Sequence, residues 1–123
     1  ARPVGVAMAT DVGGGTSYSM LTTMGEAYKV QMMHGYRAQA TEFFRMVTLD
    51  NARALRIDVD TGSLDVGKFA DVVVLDAKAT PVLAARQELS QSLEDVLFAL
   101  MLLGDDRAIK ATYVAGRKVY ERA

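Results

Sequence analysis

Apolar positions change their spacing from segment to segment along the chain, and each spacing predicts an element. Val4, Val6 and Met8 alternate in the manner of a short buried strand, which puts Asp11 at its C-terminal tip. In parallel α/β folds that end of a strand is where catalytic groups gather. Gly13, Gly14 and Gly15 follow, so the backbone there can take conformations closed to other residues and a ligand can approach the main chain closely.

Beyond the glycines the period becomes helical. Ser17 or Ser19 is the N-cap of a helix with a buried stripe at Met20/Leu21, Met24, Ala27/Tyr28 and Met32, ended by Gly35. A second helix is predicted from about Thr41 to Leu55, with Phe44, Val47, Ala52 and Leu55 on one side and Glu42, Arg45 and Arg53 facing water; Gln39 and Thr41 are both candidate caps. Val72 to Leu75 is a short β-branched run between aspartates, the pattern of a strand buried on both faces. Thr80-Pro81 opens a polar linker to Ser90. Ser92 and Asp95 then make a capping-box start to a very apolar helix, Val96 to Leu103, which is expected to be buried on most sides and is stopped by Gly104. A hairpin closes the chain, Ala111 to Val114 against Lys118 to Glu121, turning near Ala115-Gly116.

Composition narrows the classes of function. Half of the 123 residues are apolar, enough for a core, and fourteen basic against fifteen acidic side chains leave no block of positive charge for a phosphate backbone. Nucleic acid is therefore not an expected partner. The apolar run from Val96 to Leu103 falls far short of the ~20 residues needed to span a bilayer, and no membrane partner is expected. The chain has no cysteine, which excludes disulfides and thiolate metal sites and fits a reducing, cytoplasmic setting. It shows no signal-peptide pattern, and it does not begin with methionine, from which it is expected to start partway through a longer polypeptide.

Few residues offer chemistry. His34 is the only histidine, and no His-x-His or His-Glu-x-x-His pattern surrounds it; it reads as a cation near the C-terminus of its helix. Asp58, Asp60 and Asp65 lack the spacing and the closing glutamate of a calcium loop, and the nearby glycines lack the Gly-Lys-Ser/Thr ending of a P-loop, so turn chemistry accounts for them. Asp105 and Asp106 sit just past a helix end, far along the chain from Asp11.

Thr10-Asp11-Val12-Gly13-Gly14-Gly15-Thr16-Ser17, followed by Ser19-Met20-Leu21, Met24 and Glu26-Ala27-Tyr28-Lys29-Val30, resembles the segment of bacterial guanine deaminases that carries the last barrel-strand aspartate. Those enzymes belong to the metal-dependent amidohydrolase superfamily. The resemblance continues through Gly62-Ser63-Leu64, Gly67-Lys68 and Ala70 to Asp76, a superfamily pattern, and through Ser92-Leu93, Leu103-Gly104-Asp105-Asp106-Arg107 and Thr112 to Arg122. It implies an α/β fold: the C-terminal piece of a (β/α)8 barrel, its last strand and following helices, plus the C-terminal strands of a small β-sandwich. A whole barrel of ~250 residues cannot fit in 123. The implied divisions are 1–56 for the last barrel strand and following helices, 57–78 for the return to the sandwich, and 79–123 for linker, apolar helix and hairpin.

By resemblance the inherited reaction is hydrolytic deamination of guanine to xanthine and ammonia by metal-activated water. Asp11 is implied to contact the metal, zinc in the complete enzyme, and to act as general base, while the remaining ligands are absent from this chain. The isolated chain is therefore expected to bind zinc poorly, to be inactive, and to self-associate as a homo-oligomer through its uncovered apolar surface. The alternatives are another amidohydrolase acting on an aminated or chlorinated heterocycle, and a non-catalytic assembly module. Relatives also place a stronger cap near Gln39 and Asp or Asn at the position of Ala115, which implies a frayed helix start and a turn of another form.

Overall fold

A computed structural model describes residues 5–123. Five α-helices and a three-stranded antiparallel sheet follow in chain order: α1 (Met20–Met33), α2 (Ala40–Arg45), α3 (Asn51–Leu55), β1 (Val72–Leu75), α4 (Pro81–Gln87), α5 (Leu93–Leu103), β2 (Ile109–Val114) and β3 (Arg117–Glu121). One π turn, Met46–Asp50, joins α2 to α3, and a short 3-10 turn, Asp106–Ala108, leads from α5 into β2.

The helices form where local chemistry closes their ends. Ser19 is the N-cap of α1, its Oγ accepting the Thr22 N–H, while Ser17 Oγ accepts the Ser19 N–H at 3.0 Å. At the other end Gly35 takes φ 77°, so its N–H reaches Met32 O and the Tyr36 N–H reaches Gln31 O, satisfying two terminal carbonyls in a Schellman arrangement. Ser92 caps α5 as predicted, its Oγ accepting the Asp95 N–H at 3.1 Å. Gly104 is the C-cap of α5, and a side chain is excluded there: a Cβ would lie 2.3 Å from Leu100 O.

The core lies where α1, α2 and α5 meet. Leu21, Met24, Phe43, Leu100 and Met101 are buried there, with Ala38, Ala40 and Ala108. Gly25 lets the two longer helices approach, since a Cβ on it would come to 3.2 Å from Met101 O. Tyr28 packs edge-on against Phe98, ring centroids 5.2 Å apart. The methionine stripe is core at Met24 but not at Met32, which is 44% exposed.

Several expectations change in the fold. In the helical run over residues 40–55, Phe43 is the most deeply buried side chain, with Phe44 and Val47 half-buried against the same core, while Leu55, beyond the π turn that breaks the 3.6-residue period, is exposed. The start of α2 is not frayed. Gln39 N–H donates to Glu42 Oε1 at 2.9 Å, and the Glu94 carboxylate of α5 accepts from Ala40 N–H and from Thr41 N–H, the latter at 3.1 Å. The polar linker after Thr80 is a helix, α4, with Thr80 as N-cap and Pro81 in its first turn. α5 is less fully buried than its composition suggests, for Leu102 and Leu103 at its end reach solvent.

β1 is an edge strand. Among the described residues it pairs only with β2, from Val72 opposite Tyr113 to Leu75 opposite Ile109, and Val73 and Val74 are exposed instead of buried on both faces. The hairpin of β2 and β3 turns through Ala115 and Gly116, both at positive φ (48° and 77°), the two-residue type I′ form. The expected change of turn does not occur, because Asp71 Oδ1 accepts the Ala115 N–H at 2.8 Å and Ala70 O accepts the Gly116 N–H at 2.9 Å. These bonds hold Ala115 in a conformation that costs an alanine about 1–2 kcal/mol. Ala115→Asn is therefore expected to raise stability by about 1 kcal/mol, read as a higher urea midpoint at unchanged slope. An unmoved midpoint would mean that the strain is relieved elsewhere.

The predicted strand before Asp11 is also corrected. Val4 lies outside the described residues, and residues 5–11 form no strand, with Val6 67% exposed. A strand needs a neighbour to accept and donate along its length, and among the described residues none lies beside this segment.

Candidate functional site

The segment that carries Asp11 is held at two points. Met8 is gripped from the helical layer by Asn51, whose Oδ1 accepts the Met8 N–H at 2.7 Å and whose Nδ2 donates to Met8 O at 2.8 Å. Beyond Asp11, the loop joins α1 through the Ser17 and Ser19 bonds. Asp11 itself sits at φ 52°, in the left-handed region that aspartate and asparagine enter more readily than other non-glycine residues. Its carbonyl accepts two N–H groups, from Gly14 at 2.9 Å and from Gly15 at 2.5 Å, so the loop folds back on the residue it follows.

The three glycines are required to different degrees. A Cβ on Gly15 would fall 1.9 Å from Thr10 O, inside the backbone. On Gly14 it would come 2.7 Å from Asp11 Oδ2, so the bare Cα makes room for the carboxylate. Gly13 faces open space and is distinguished only by φ 99°. The result is an exposed carboxylate on a tightly wound loop, flanked by the exposed side chains of Val12 and Tyr18.

A metal centre of the usual kind needs three or four donors. Among the described residues no group of three or more histidine, cysteine, aspartate or glutamate side chains is arranged to hold one. The single carboxylate of Asp11 does not make such a centre. His34 does not help: it is the exposed C-cap of α1, on the far side of a 14-residue helix about 20 Å long from the Asp11 loop.

Several other carboxylates have structural work. Asp105 caps the 3-10 turn, accepting the Arg107 N–H at 2.9 Å, and its Oδ2 receives Arg107 Nη2 at 2.6 Å. The Arg107 hydrogen bond holds the Asp105 carboxyl below the usual carboxylate range. Ser92, with the Gln91 N–H, does the same for Asp95, and the Gln39 N–H with the Tyr36 hydroxyl does so for Glu42. Asp65 accepts from Ser63 Oγ at 2.6 Å within a turn, in keeping with turn chemistry for the acidic stretch.

Asp11 lines neither of two concavities that open among the described residues. One, of about 390 Å³, lies between Tyr28, Arg37, Arg86, Glu94 and Phe98. The other, of about 530 Å³, is more apolar and runs past Val47, Asn51, Leu55, Leu64 and Val73. Of the residues that shape the site, Asn51 left almost no local trace in the sequence. Its one signal is that asparagine is a poor helix former placed inside a predicted helix.

Comparison with known proteins follows the same outline. Residues 2–119 match the profile of the Amidohydrolase family. Guanine deaminase of Escherichia coli is 50% identical over 121 residues, which are 98% of this chain and 28% of that protein. The solved structure of E. coli guanine deaminase superposes with a TM-score of 0.94 over 98% of this chain and 28% of the other. The crystal structure of guanine deaminase from Bradyrhizobium japonicum, 29% identical, does so at 0.87 over 97% of this chain and 32% of the other. The α/β fold is thus shared with part of these chains. The chain spans about 28% of the length of the E. coli relative.

Proposed function

We propose, since this chain belongs to the amidohydrolase family, that a full-length polypeptide carrying it hydrolyses guanine to xanthine and ammonia. The observation that carries the reading is the 50% identity to E. coli guanine deaminase through 98% of the chain. The exposed Asp11 carboxylate on its glycine-wound loop gives that similarity a chemical focus.

In this reading the oxygen of a water molecule forms a bond to the ring carbon bearing the exocyclic amine. Asp11 takes one proton that the water gives up and delivers it to the amine nitrogen as the carbon–nitrogen bond breaks, so ammonia leaves neutral. The water's second proton ends on the adjacent ring nitrogen as the ring C=N bond is replaced by the carbonyl of xanthine. A divalent metal ion, zinc in this reading, supplies when bound the acidity that makes hydroxide available near neutral pH. Asp11 would be one of its contacts, with donors from outside the described residues completing the shell. The isolated chain is accordingly inactive.

Residues 1–56 are then the last barrel strand and following helices, 57–78 the return to the small sandwich, and 79–123 the connecting segment, apolar helix and terminal hairpin. The exposed apolar side chains of Val59, Leu64, Val66 and Phe69 support burial against further protein; the same reading takes the protein as a cytoplasmic homo-oligomer without nucleic acid or membrane as partner. Among the described residues no helix is long and apolar enough to cross a membrane.

The test is product analysis with the full-length polypeptide. Xanthine and ammonia should form from guanine in equal amounts. Turnover of another aminated or chlorinated heterocycle, with guanine untouched, would replace this reading by a different amidohydrolase.

A further inference from the structure

Asn51 makes a contact that the fold alone does not call for. A single side-chain amide binds both backbone groups of one residue, Met8, across 43 positions of sequence. Its carbonyl oxygen accepts and its NH2 donates, so it exchanges with Met8 the same pair of bonds that a facing residue in an antiparallel ladder would exchange. Both bonds come from the helical side of the segment, from a side chain and not from another backbone.

The helix accepts two local costs at this point. Asn51 follows directly on the π turn Met46–Asp50, a form that is rare and occurs frequently at functional sites. Asparagine is also a weak helix former. Local rules broken together at one place mark a position chosen for something other than helix stability.

What lies downstream of the contact gives it a purpose. Ala9 and Thr10 are the only residues between Met8 and Asp11, so the carboxylate-bearing residue is at most about 11 Å of extended chain from the grip. On the other side Asp11 is fixed by its carbonyl bonds to Gly14 and Gly15. A slide of Met8 along the helix would therefore be passed to the carboxylate.

We propose that Asn51 is the positioning residue for Asp11, setting through the Met8 backbone the height at which the carboxylate meets its substrate. The proposal rests on the reading of Asp11 as the proton-transfer group. It separates from a plain structural tie by what a longer amide does. Glutamine in place of Asn51 can make both bonds, but from one methylene further out, so it keeps the tie and displaces the segment.

The experiment uses the full-length polypeptide with Asn51→Gln, Asn51→Asp and Asn51→Leu, measuring kcat, KM for guanine, melting temperature and amide hydrogen exchange. Asn51→Gln is expected to lower kcat about tenfold and Asn51→Leu about 100-fold, with KM within about twofold, as misplacement by about 1 Å would do. Exchange at the Met8 amide should rise in Asn51→Leu while the α1 and α5 amides stay protected. Asn51→Asp keeps the acceptor for the Met8 N–H and loses the donor, so its kcat should fall between the other two. Wild-type kcat in Asn51→Gln, with losses in the others that only follow melting temperature, would overturn the proposal. Should the unmodified polypeptide fail to turn over guanine, the functional reading falls. Exchange then decides the positioning: altered exchange at Thr10 and Asp11 in Asn51→Gln, with the Met8 amide still protected, supports it, and wild-type exchange there in Asn51→Gln overturns it.

Discussion

Asp11→Asn in a full-length polypeptide is expected to lower kcat for guanine by about 10²–10⁴-fold, the usual weight of a positioned acid–base group. The substitution isolates chemistry from structure. Asparagine has nearly the same shape and enters the left-handed region as readily as aspartate, so the φ of 52° at this position should survive. The two hydrogen bonds that wind the loop run to the Asp11 carbonyl, which the substitution leaves in place. What is lost is the carboxylate to which the proton-transfer role is assigned. Melting temperature should therefore stay put while kcat collapses. A kcat within about threefold of the parent would remove Asp11 from the proton-transfer role.

Gly15→Ala should have an effect of similar size on kcat for a different reason. The added Cβ would overlap Thr10 O at 1.9 Å and press on Asp11 O at 3.0 Å, and both atoms are backbone. The loop can relieve the overlap only by moving the residues on either side of the carboxylate. A shift of about 1 Å there is enough to cost about 10²-fold in rate. Gly14→Ala should be milder, since its Cβ meets only the swinging Asp11 carboxylate at 2.7 Å. Gly13→Ala should be mildest, costing about 1–2 kcal/mol of backbone strain in open space. The order of kcat losses, Gly15 then Gly14 then Gly13, is the checkable result, and equal values for all three would contradict the loop geometry.

Elements closed by neighbouring residues were legible in the sequence. Ser19, Gly35, Ser92 and Gly104 act within a few positions of themselves, and the hairpin pattern needs only its two strands. The helix α4 was legible too, because Thr80 followed by Pro81 is a start signal; the polarity of the stretch outweighed it in a linker reading. Other features depend on partners far along the chain. Glu94 closes the start of α2 from more than 50 residues away, and no window around Gln39 contains it.

The same distance effect limits the strands and the site. β1 has the composition of a buried strand, yet burial depends on what covers it, and within the described residues only β2 does. The alternation at Val4, Val6 and Met8 gives a strand period but not a strand partner. At the site, the aspartate and its glycines could be read as a unit because turn chemistry is local. Asn51 could not, since its amide acts on Met8 through space and its helix hides a π turn that no periodicity announces.

The central claim is that this chain contributes Asp11 to a deamination centre whose other donors lie elsewhere. Guanine turnover by the isolated 123-residue chain, supplied with zinc and set beside a full-length polypeptide, tests it most directly. No xanthine should form above the zinc-only blank. Turnover that survives repurification and vanishes with Asp11→Ala would contradict the claim, because the chain would then be completing the centre by itself.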